Sequence, residues 1–575
     1  MTEFPLSPAF ILLLGAVLLP FLPGRWRNLF FTVLGAGLLT MVLFLPTATP
    51  PPILRVMQYR LIPLQVDGLS RGFGVVFGFV LAAGGIYAYH LRDRGQQCAA
   101  LLYAAGALGV VFAGDYYSLF FFWELMAISS TVLIWARRDR RSFKAGFRYI
   151  IYHALGGGIL LAGILSHIHA QAGDILITNL PARNLSGWLI LLGVAVNSAI
   201  PPLHTWLVDA YPRATITGAI FLNAFTTKTA VYVLIRLFAG WELLIVAGTV
   251  MALYGVIYTV ITNDIRGILS YHIVSQVGYM VAAVGIGTPL ALNGAAAHAL
   301  ANILFKGLLF MAAGAIMAAT GESRLTRLGG LFRRLPRVTV FYMIGALSIA
   351  GFPLFNGFIS KSMILTAATR SHFPAVFLLL NLAAVGTFLS LGLKLPYFAF
   401  FHRARPGDLP VREIPRNLHP AMVLMGLACF LQGVFPRLLY FLLPHPVEFH
   451  PYTLHHLTEV SQMFGLTFVA FWLFRGMLRA KEYIVLDVDW FFRKPALGVR
   501  RILVDGTLRL FDLSDRLVMA LTRGLISFSQ NPMRHVFKTT ESDRPYDPDR
   551  YRPTVSMLLF GVLLVFLILI AAGPR

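Results

Sequence analysis

Runs of about twenty apolar residues recur along almost the whole of this 575-residue chain. A helix needs roughly 20 mostly apolar residues to cross the hydrocarbon core of a bilayer. Hydrophobic residues make up 57% of the sequence and charged residues 13%, whereas soluble domains carry about 25% charged residues. The pattern predicts an all-α polytopic membrane protein. It excludes a soluble cytosolic enzyme, a disordered protein and a nucleic-acid-binding module.

The apolar runs define sixteen candidate spans, some of them short or interrupted, so we expect about 14–16 transmembrane helices. The candidate spans lie at 6–22, 28–45, 72–90, 98–114, 117–136, 149–169, 187–203, 215–236, 241–262, 268–287, 291–318, 338–356, 375–400, 419–436, 461–476 and 555–573. No small-residue cleavage site follows the first run, which predicts a membrane span and not a removed signal peptide.

The spans suggest a division of the chain into five parts. We expect N-terminal transmembrane helices over 1–95, a core over 96–440, an additional transmembrane helix over 441–480, a basic cytoplasmic or interfacial segment over 481–554, and a final transmembrane helix over 555–575.

Basic residues concentrate in alternate connections between the spans. The chain has 48 Lys and Arg against 25 Asp and Glu, a formal net charge of +23. Basic runs occupy 137–148 and 324–337, whereas 237–240 and 288–290 contain no basic residue. Because positive loops remain on the cytoplasmic side, the pattern predicts a cell-membrane protein with both termini on the outer side. Its basic loops would contact anionic lipid headgroups.

The basic region near the carboxyl terminus has a different pattern. From about 500 to 527, leucine and isoleucine recur at helical spacing among arginines. This pattern is typical of an amphipathic helix lying along the membrane interface. A short soluble subdomain is the alternative interpretation. The polar run 541–552 then leads to the last span.

The sequence contains no cofactor or metal motif that we can identify. Cys98 and Cys429 lie far apart inside apolar runs, which excludes a disulfide framework and a metal-ligand spacing. We find no nucleotide-binding loop and no haem-attachment motif. The sequence therefore predicts no metal site, no cofactor and no redox centre, and favours a transporter subunit over an enzyme.

Ionisable side chains lie inside four of the predicted spans. A charge at the centre of a bilayer costs several kcal/mol, so it normally marks a transport pathway or a pairing. Asn302 falls between two of these residues and extends a polar stripe along one helix face. The pattern predicts a proton-transfer chain. Its candidate members are Glu124, Lys228, His298, Lys306 and Lys394.

Structural interpretations of these residues remain open. Lys394 is close enough to the end of its span to extend toward the interface. Glu124 could pair with a neighbouring basic helix for purely structural reasons. His153 and His272 also lie in spans, but buried histidines are more often satisfied packing residues than proton carriers, and we favour packing for both.

Prolines interrupt two spans. Pro201 and Pro202 end one span, and Pro396 follows Lys394 by two residues. Broken helices expose backbone groups and are tolerated in a membrane where they line a polar cavity. The two breaks suggest internal repeats and two half-channels, although either break alone could be a plain kink.

Long motifs in the central part of the chain resemble those of a known family. They are FFFWELM around Glu124, PLHTWLVDAYPRATITGAIFLNAFTTKTAVYVLIR, NDIRGILSYHIVSQVGYM, AAAHALANILFKGLLFMAAGAI and LSIAGFPLFNGFISK. Over about 60–440 the chain resembles the antiporter-like membrane subunits of multi-subunit cation/proton antiporters and respiratory complex I. Within that group it looks like the D subunit of the Mrp-type Na+/H+ antiporters. The tail motif DVDWFFRKP resembles a longer subset of such proteins.

The resemblance implies two inverted five-helix repeats, each with a broken helix, and it implies roles for single residues. Glu124 matches the family's essential glutamate, and Lys228 matches the lysine in the next broken-helix neighbourhood. His298 and Lys306 match the central pair. Lys394 matches the charged residue of the second broken helix.

Three positions depart from the family pattern. Asn197 stands where the family usually has a lysine that pairs with the glutamate, Asn302 replaces a second histidine, and Val208 replaces a proline. The missing lysine matters most, since its charge would bias the proton affinity of Glu124. Either Lys228 takes over that role, or the first half-channel works differently or not at all.

The resemblance implies a membrane subunit of a Na+/H+ antiporter, working with other membrane subunits in the bilayer and handling H+ and Na+. The alternative is the equivalent proton-pumping subunit of a redox-driven complex such as complex I or a membrane hydrogenase. A self-sufficient transporter of an organic solute is a third possibility. Nucleic acid is not an expected partner.

Overall fold

The computed structural model describes residues 7–47, 51–180, 183–402, 410–482, 485–530 and 554–571. The chain divides into two compact units, Met1–Asp487 and Val488–Arg575. Of the segments discussed above, 531–553 lies outside the described residues, so the predicted polar run before the last span is among the parts not described.

Helices make up nearly all of the first unit. Up to residue 237 the helices are α1 (Pro8–Leu18), α2 (Gly24–Leu43), α3 (Gly68–Tyr87), α4 (Arg94–Phe112), α5 (Tyr116–Trp135), α6 (Arg140–Ala170), α7 (Leu185–Asn197), α8 (Thr205–Ala210), α9 (Gly218–Ala224) and α10 (Thr226–Leu237). Between α2 and α3, strand β1 (Leu54–Val56) pairs antiparallel with β2 (Tyr59–Leu61).

The remaining helices of this unit follow without further strands in the described residues. They are α11 (Leu243–Ile261), α12 (Ile265–Ile286), α13 (Pro289–Thr320), α14 (Leu331–Arg334), α15 (Pro336–Ala350), α16 (Asn356–Arg370), α17 (Pro374–Thr387), α18 (Leu418–Val434), α19 (Pro436–Tyr440) and α20 (Leu454–Phe474).

The predicted fold class, an all-α polytopic membrane protein, is confirmed. Within the described residues, eleven helices are long and apolar enough to cross a membrane, and five shorter apolar helices accompany them. Each of the sixteen candidate spans coincides with one of these segments. The chain is a multi-pass integral membrane protein.

Helix α16 is not among the predicted spans. The apolar runs at 338–356 and 375–400 leave most of α16 in a connection. Helix α15 instead ends at Ala350, because Gly351 adopts a left-handed backbone with φ of 91°. Helix α16 is 15 residues long and carries the buried polar side chains Asn356, Ser360 and Lys361. Those polar residues remove the apolar signal on which span counting depends.

Aspartate side chains fix where several spans begin. Asp93, Asp115, Asp139 and Asp264 precede α4, α5, α6 and α12, and each carboxylate accepts a hydrogen bond from the backbone N–H three residues later. Such caps satisfy an amide that the helix leaves without a partner. These carboxylates serve helix ends, which separates them from the ionisable residues inside the spans.

Helix α13 lies at the centre of the first unit. It is 32 residues long, nearly all of its residues are buried, and it packs against α12, α15, α16 and α18. Helices α11 and α12 approach so closely that a side-chain carbon at Gly248 or Gly278 would meet the backbone of the other helix. Small residues at such crossings bring helix backbones together in membranes.

A helix is interrupted at the first of the two predicted breaks, and there is a further interruption that the sequence did not predict. Helix α7 ends at Asn197 and α8 begins at Thr205, so Pro201 and Pro202 lie in a turn between two helical pieces. Near Pro396 the helix does not stop; α17 continues through π-helical turns at Phe388–Lys394 and Tyr397–Phe401. The additional interruption separates α9 from α10 at Phe225. The inverted-repeat relationship stays a prediction.

The second unit contains helices only in its described residues. Helix α21 (Asp489–Arg500), a π-helical stretch (Arg501–Asp505) and α22 (Gly506–Gln530) follow one another directly, and α23 (Val555–Ala571) is strongly apolar. The helical structure predicted for 500–527 is confirmed, and its position along the membrane interface stays a prediction.

Candidate functional site

Lys306 and His298 lie about two turns apart on α13, and both are fully buried. Lys306 Nζ donates a 2.8 Å hydrogen bond to the carbonyl of Leu269 on α12. His298 Nδ1 lies 2.9 Å from the Ser360 hydroxyl on α16. Asn302, one turn from each, is also fully buried. The predicted polar stripe is therefore enclosed by protein.

Lys228 lies directly after the interruption between α9 and α10. Its Nζ donates a 2.8 Å hydrogen bond to the carbonyl of Asn223, which precedes the interruption, and its side chain is fully buried. An uninterrupted helix would occupy such a carbonyl with its own backbone N–H. The local break therefore supplies the acceptor for a buried ammonium group.

Lys361 is an ionisable residue that is absent from the predicted proton-transfer chain. It lies on α16, is 4% exposed, and donates a 2.7 Å hydrogen bond to the carbonyl of Ile349 at the end of α15. Its Nζ lies 5.2 Å from the centre of the Tyr279 ring, a cation–π contact. The sequence motif GFISK contains this lysine, but the motif falls in a predicted connection between two spans.

Lys306 and His298 lie within electrostatic range of two further lysines. The charges of Lys228 and Lys361 both act on Lys306 and on His298. The charges of Lys306 and Lys361 act on His272 of α12. The Nε2 atom of His272 lies 2.7 Å from the Ser390 hydroxyl. The structure thus brings three of the five predicted residues together and adds Lys361 and His272.

Glu124 lies on α5. Its carboxylate packs against Gly157 of α6, where a side-chain carbon would overlap Oε1. Within the described residues Glu124 makes no ion pair, and Oε1 is buried without a hydrogen bond. The structural pairing with a basic helix that was considered from the sequence is therefore not observed there.

His153 and Asn197 connect α6 to the end of α7. His153 Nδ1 lies 2.8 Å from Asn197 Oδ1, and both residues are almost fully buried. The His153 ring packs against Trp206 of α8 with 4.6 Å between ring centres. Asn197, at the position where the family usually has a lysine, is therefore the hydrogen-bonded partner of His153. His153 lies one turn along α6 from Gly157. His153 lies at the first helix break, beside the predicted proton-transfer chain.

A row of hydroxyl groups leads from this region toward α10. The Tyr149 hydroxyl lies 2.9 Å from Ser130 Oγ and 3.5 Å from Thr226 Oγ1, and the Tyr103 hydroxyl lies 2.5 Å from the same Thr226 oxygen. Thr226 is two residues from Lys228. These hydroxyls connect α4, α5 and α6 to the start of α10.

Lys394 lies in the π-helical part of its span. It is 3% exposed and donates a hydrogen bond to the carbonyl of Val260 on α11. It therefore does not extend to the protein surface. The alternative interpretation of Lys394 as a residue that extends toward the interface is not observed. Ser390, one turn earlier, connects this segment to His272.

Many buried polar atoms in this region have no hydrogen-bond partner in the described protein. They are on Glu124, His153, Asn197, Asn223, Thr227, Thr229, His272, Ser275, Gln276, His298 and Asn302. Buried polar atoms nearly always have a partner, and ordered water supplies it where protein does not. These buried polar residues, called the polar layer below, therefore have room for hydrogen bonds to bound water.

In the same described residues no group of three or more His, Cys, Asp and Glu side chains could hold a metal ion.

The chain matches known proteins over this same region. A family model described as the transmembrane part of NADH:quinone oxidoreductase and Mrp antiporters matches residues 113–390. The N subunit of the NADH-quinone oxidoreductase of Desulforudis audaxviator is 30% identical over 65% of this chain and 82% of its own length. The D subunit of the Na(+)/H(+) antiporter of Alkalihalophilus pseudofirmus is 32% identical over 46% of this chain and 57% of its own length.

A solved structure shares the fold. A chain of the membrane-bound sulfane sulfur reductase, an archaeal respiratory membrane complex, superposes with a TM-score of 0.70 and 22% identity over 98% of this chain and 99% of that chain. Two further relatives are matched over 44% and 73% of their own length. The chain belongs to the family of NADH:quinone oxidoreductase and Mrp antiporter membrane subunits.

Proposed function

We propose that this chain is a membrane subunit of a multi-subunit Na+/H+ antiporter and moves protons along its layer of buried ionisable residues. The observation that carries the proposal is the setting of Lys306, which is fully buried and within electrostatic range of Lys228 and Lys361. A relative named as the D subunit of a Na(+)/H(+) antiporter is 32% identical.

The proposed mechanism uses repulsion between neighbouring cations. A positive charge on one lysine makes it harder for the next lysine to keep its proton, more so where water is scarce. Each of Lys228, Lys306 and Lys361 has a backbone carbonyl that accepts from the charged ammonium. When one lysine releases its proton, its neighbour can take one up, and the charge state moves along the layer through bound water.

The two ends of the layer would connect it to the aqueous phases. Glu124, His153 and Asn197 lie at the first helix break, and Lys394 lies in the π-helical segment at the second. We place half-channels at these two positions. Two features favour this placement: the backbone groups freed there and the buried polar atoms without protein partners. The five predicted residues then serve as a chain in which His272 and Lys361 also take part.

The protein would work in a cell membrane with other membrane subunits. We assign H+ and Na+ as the transported ions and the lipid bilayer as its surroundings, with both termini on the outer side. The amphipathic stretch within 500–527 would lie along the cytoplasmic interface.

A redox-driven complex is the second candidate. It is favoured by the match to a relative named as the N subunit of a NADH-quinone oxidoreductase and by the fold shared with an archaeal respiratory complex over almost the full chain. Purification of the native assembly separates the two: small membrane subunits alone support the antiporter, whereas iron–sulfur or quinone-reactive subunits support the redox complex.

The direct test removes the central ammonium group. We expect Lys306→Ala to abolish Na+-dependent proton movement in inverted membrane vesicles, because proton transfer between Lys228 and Lys361 loses its intermediate carrier. The matched control is Lys144→Ala, an exposed lysine on α6. Equal amounts of both variants in the membrane establish insertion. Transport at the wild-type rate in Lys306→Ala would contradict the proposal.

A further inference from the structure

The segment 485–487, which follows the last helix of the first unit, reaches the first helix break. Asp487 is 8% exposed, and its carboxylate lies 3.2 Å from His204 Nε2. The hydroxyl of Tyr271 donates a 2.6 Å hydrogen bond to the same carboxylate, and the hydroxyl of Tyr254 donates another. A residue 283 positions away in sequence thus lies beside the break that holds Asn197.

Aromatic residues of α11 and α12 hold this segment in place. Tyr254 and Tyr258 stack with 4.6 Å between ring centres, and Tyr258 stacks on Tyr271 at 5.0 Å. The Tyr258 hydroxyl donates a 3.0 Å hydrogen bond to the carbonyl of Leu486. Side chains from two helices therefore hold Asp487 and the residue before it.

His204 is placed to relay the effect of Asp487 into the candidate path. It is fully buried in the turn between α7 and α8 and packs on Tyr254 at 4.8 Å between ring centres. Two residues later, the Trp206 indole donates a 2.8 Å hydrogen bond to the carbonyl of Val196 and packs on His153. The ring of His204 is thus connected through α8 to the His153–Asn197 pair.

The carboxylate of Asp487 stays charged over the physiological range. Burial acts to raise its pKa, but hydrogen bonding and the charge of His204, together with the hydroxyls of Tyr254 and Tyr271, outweigh burial and hold the pKa at about 2. A carboxylate that contacts one imidazole nitrogen keeps a proton on that nitrogen and leaves the other nitrogen to exchange. That other nitrogen, His204 Nδ1, is buried without a hydrogen bond to any described residue.

We infer that Asp487 is a positioning residue of the first transport half: it keeps a proton on His204 Nε2, leaves Nδ1 as the exchanging nitrogen, and holds the α7–α8 turn around the His153–Asn197 pair. The inference rests on the proposed function. It gives the segment after α20 a direct part in proton movement.

The test is a double-mutant cycle in the native complex. In inverted vesicles we expect Asp487→Asn to slow Na+-dependent proton movement about tenfold, the order for loss of a charged hydrogen bond that orients a reacting group. Asp487→Glu should recover part of the rate. Because Asp487 acts through His204, adding Asp487→Asn to His204→Gln should cause no further loss.

The matched control is Asp489→Asn. Asp489 is two residues further along the chain and pairs with Arg493 at 2.6 Å, so its replacement should leave transport unchanged. Immunoblots of the membranes and recovery of the intact complex show whether each variant is assembled. Independent, multiplicative losses from Asp487→Asn and His204→Gln would overturn the inference, as would a wild-type rate in Asp487→Asn.

A second measurement does not depend on transport. In detergent, Asp487→Asn should lower the melting temperature of the complex in the wild-type background and have a smaller effect when His204 is already replaced. Equal shifts in both backgrounds would contradict the inference. Failure of the proposed function has a different signature, since Lys306→Ala would then transport normally while the melting-temperature coupling of Asp487 and His204 persisted.

Discussion

Gly157 of α6 leaves the space that the Glu124 carboxylate of α5 fills. A side-chain carbon at Gly157 would overlap Glu124 Oε1, whereas one at the next residue, Gly158, would meet no atom within 4 Å. The position of this half-buried acid therefore depends on the absence of a side chain on the neighbouring helix.

The adjacent glycines allow a matched test. We expect Gly157→Ala to displace the carboxylate and to reduce Na+-dependent proton movement about 10- to 100-fold, since small misplacements of a reacting group have effects of this order. Gly158→Ala should transport at the wild-type rate. Both variants should insert equally, as judged by the amount of protein in the membrane. Equal activity of the two variants would show that the placement of Glu124 is not critical.

The hydrogen bond between His153 and Asn197 should contribute to stability. Asn197→Leu leaves a buried imidazole nitrogen without its partner, which costs about 1–2 kcal/mol. We expect a lower melting temperature of the purified complex. Replacing His153 by Leu as well should recover part of the loss, because no buried polar atom is then left without a partner. A double variant that is as unstable as the sum of the single variants would contradict this account.

Lys361 should be as necessary for transport as Lys306. We expect Lys361→Met to abolish Na+-dependent proton movement, because the proposed layer loses the cation that acts on Lys306, His298 and His272. Arg370→Met, at the exposed end of the same helix, is the control for removing a positive charge. If Lys361→Met transports normally while Arg370→Met is also active, Lys361 is a packing residue only.

Asp487 predicts a specific pH dependence of stability. A free aspartate has a pKa of about 3.9, and the value of about 2 in the folded protein means that folding favours the charged carboxylate. Its stabilising contribution is therefore complete above about pH 4 and lost as the pH falls toward 2. The melting-temperature difference between wild type and Asp487→Asn should shrink as the pH falls below about 4. A difference that is unchanged at pH 3 would refute the assignment.

The sequence was sufficient to identify buried charges in strongly apolar spans. Glu124, Lys228 and Lys306 interrupt long hydrophobic runs, and a charge in such a run costs too much to be incidental. The prolines at 201 and 202 marked the end of α7 for a similarly local reason, since proline cannot continue a helix. These features depend only on nearby residues. The structure buries Lys228 and Lys306 fully and Glu124 in part.

Features that depend on burial of polar helices did not emerge from the sequence. Helix α16 is short and polar, so neither its span nor Lys361 is visible in a hydropathy pattern, although the helix is buried against α13. The interruption at Phe225 also has no proline to mark it. In these places the surrounding helices, and not the local sequence, make the conformation stable.

The amino-acid sequence by itself determined the membrane-spanning, all-helical architecture and most of the buried ionisable residues, because the cost of placing charge or unpaired backbone in lipid acts residue by residue. Only the tertiary structure decided which of those residues meet. The charge of Lys361 acts on Lys306 from a helix that the hydropathy pattern leaves in a connection, Asn197 bonds His153, and Asp487 contacts His204 from 283 residues away. Those contacts depend on how helices distant in sequence pack, and electrostatic coupling acts only over the short distances that packing creates.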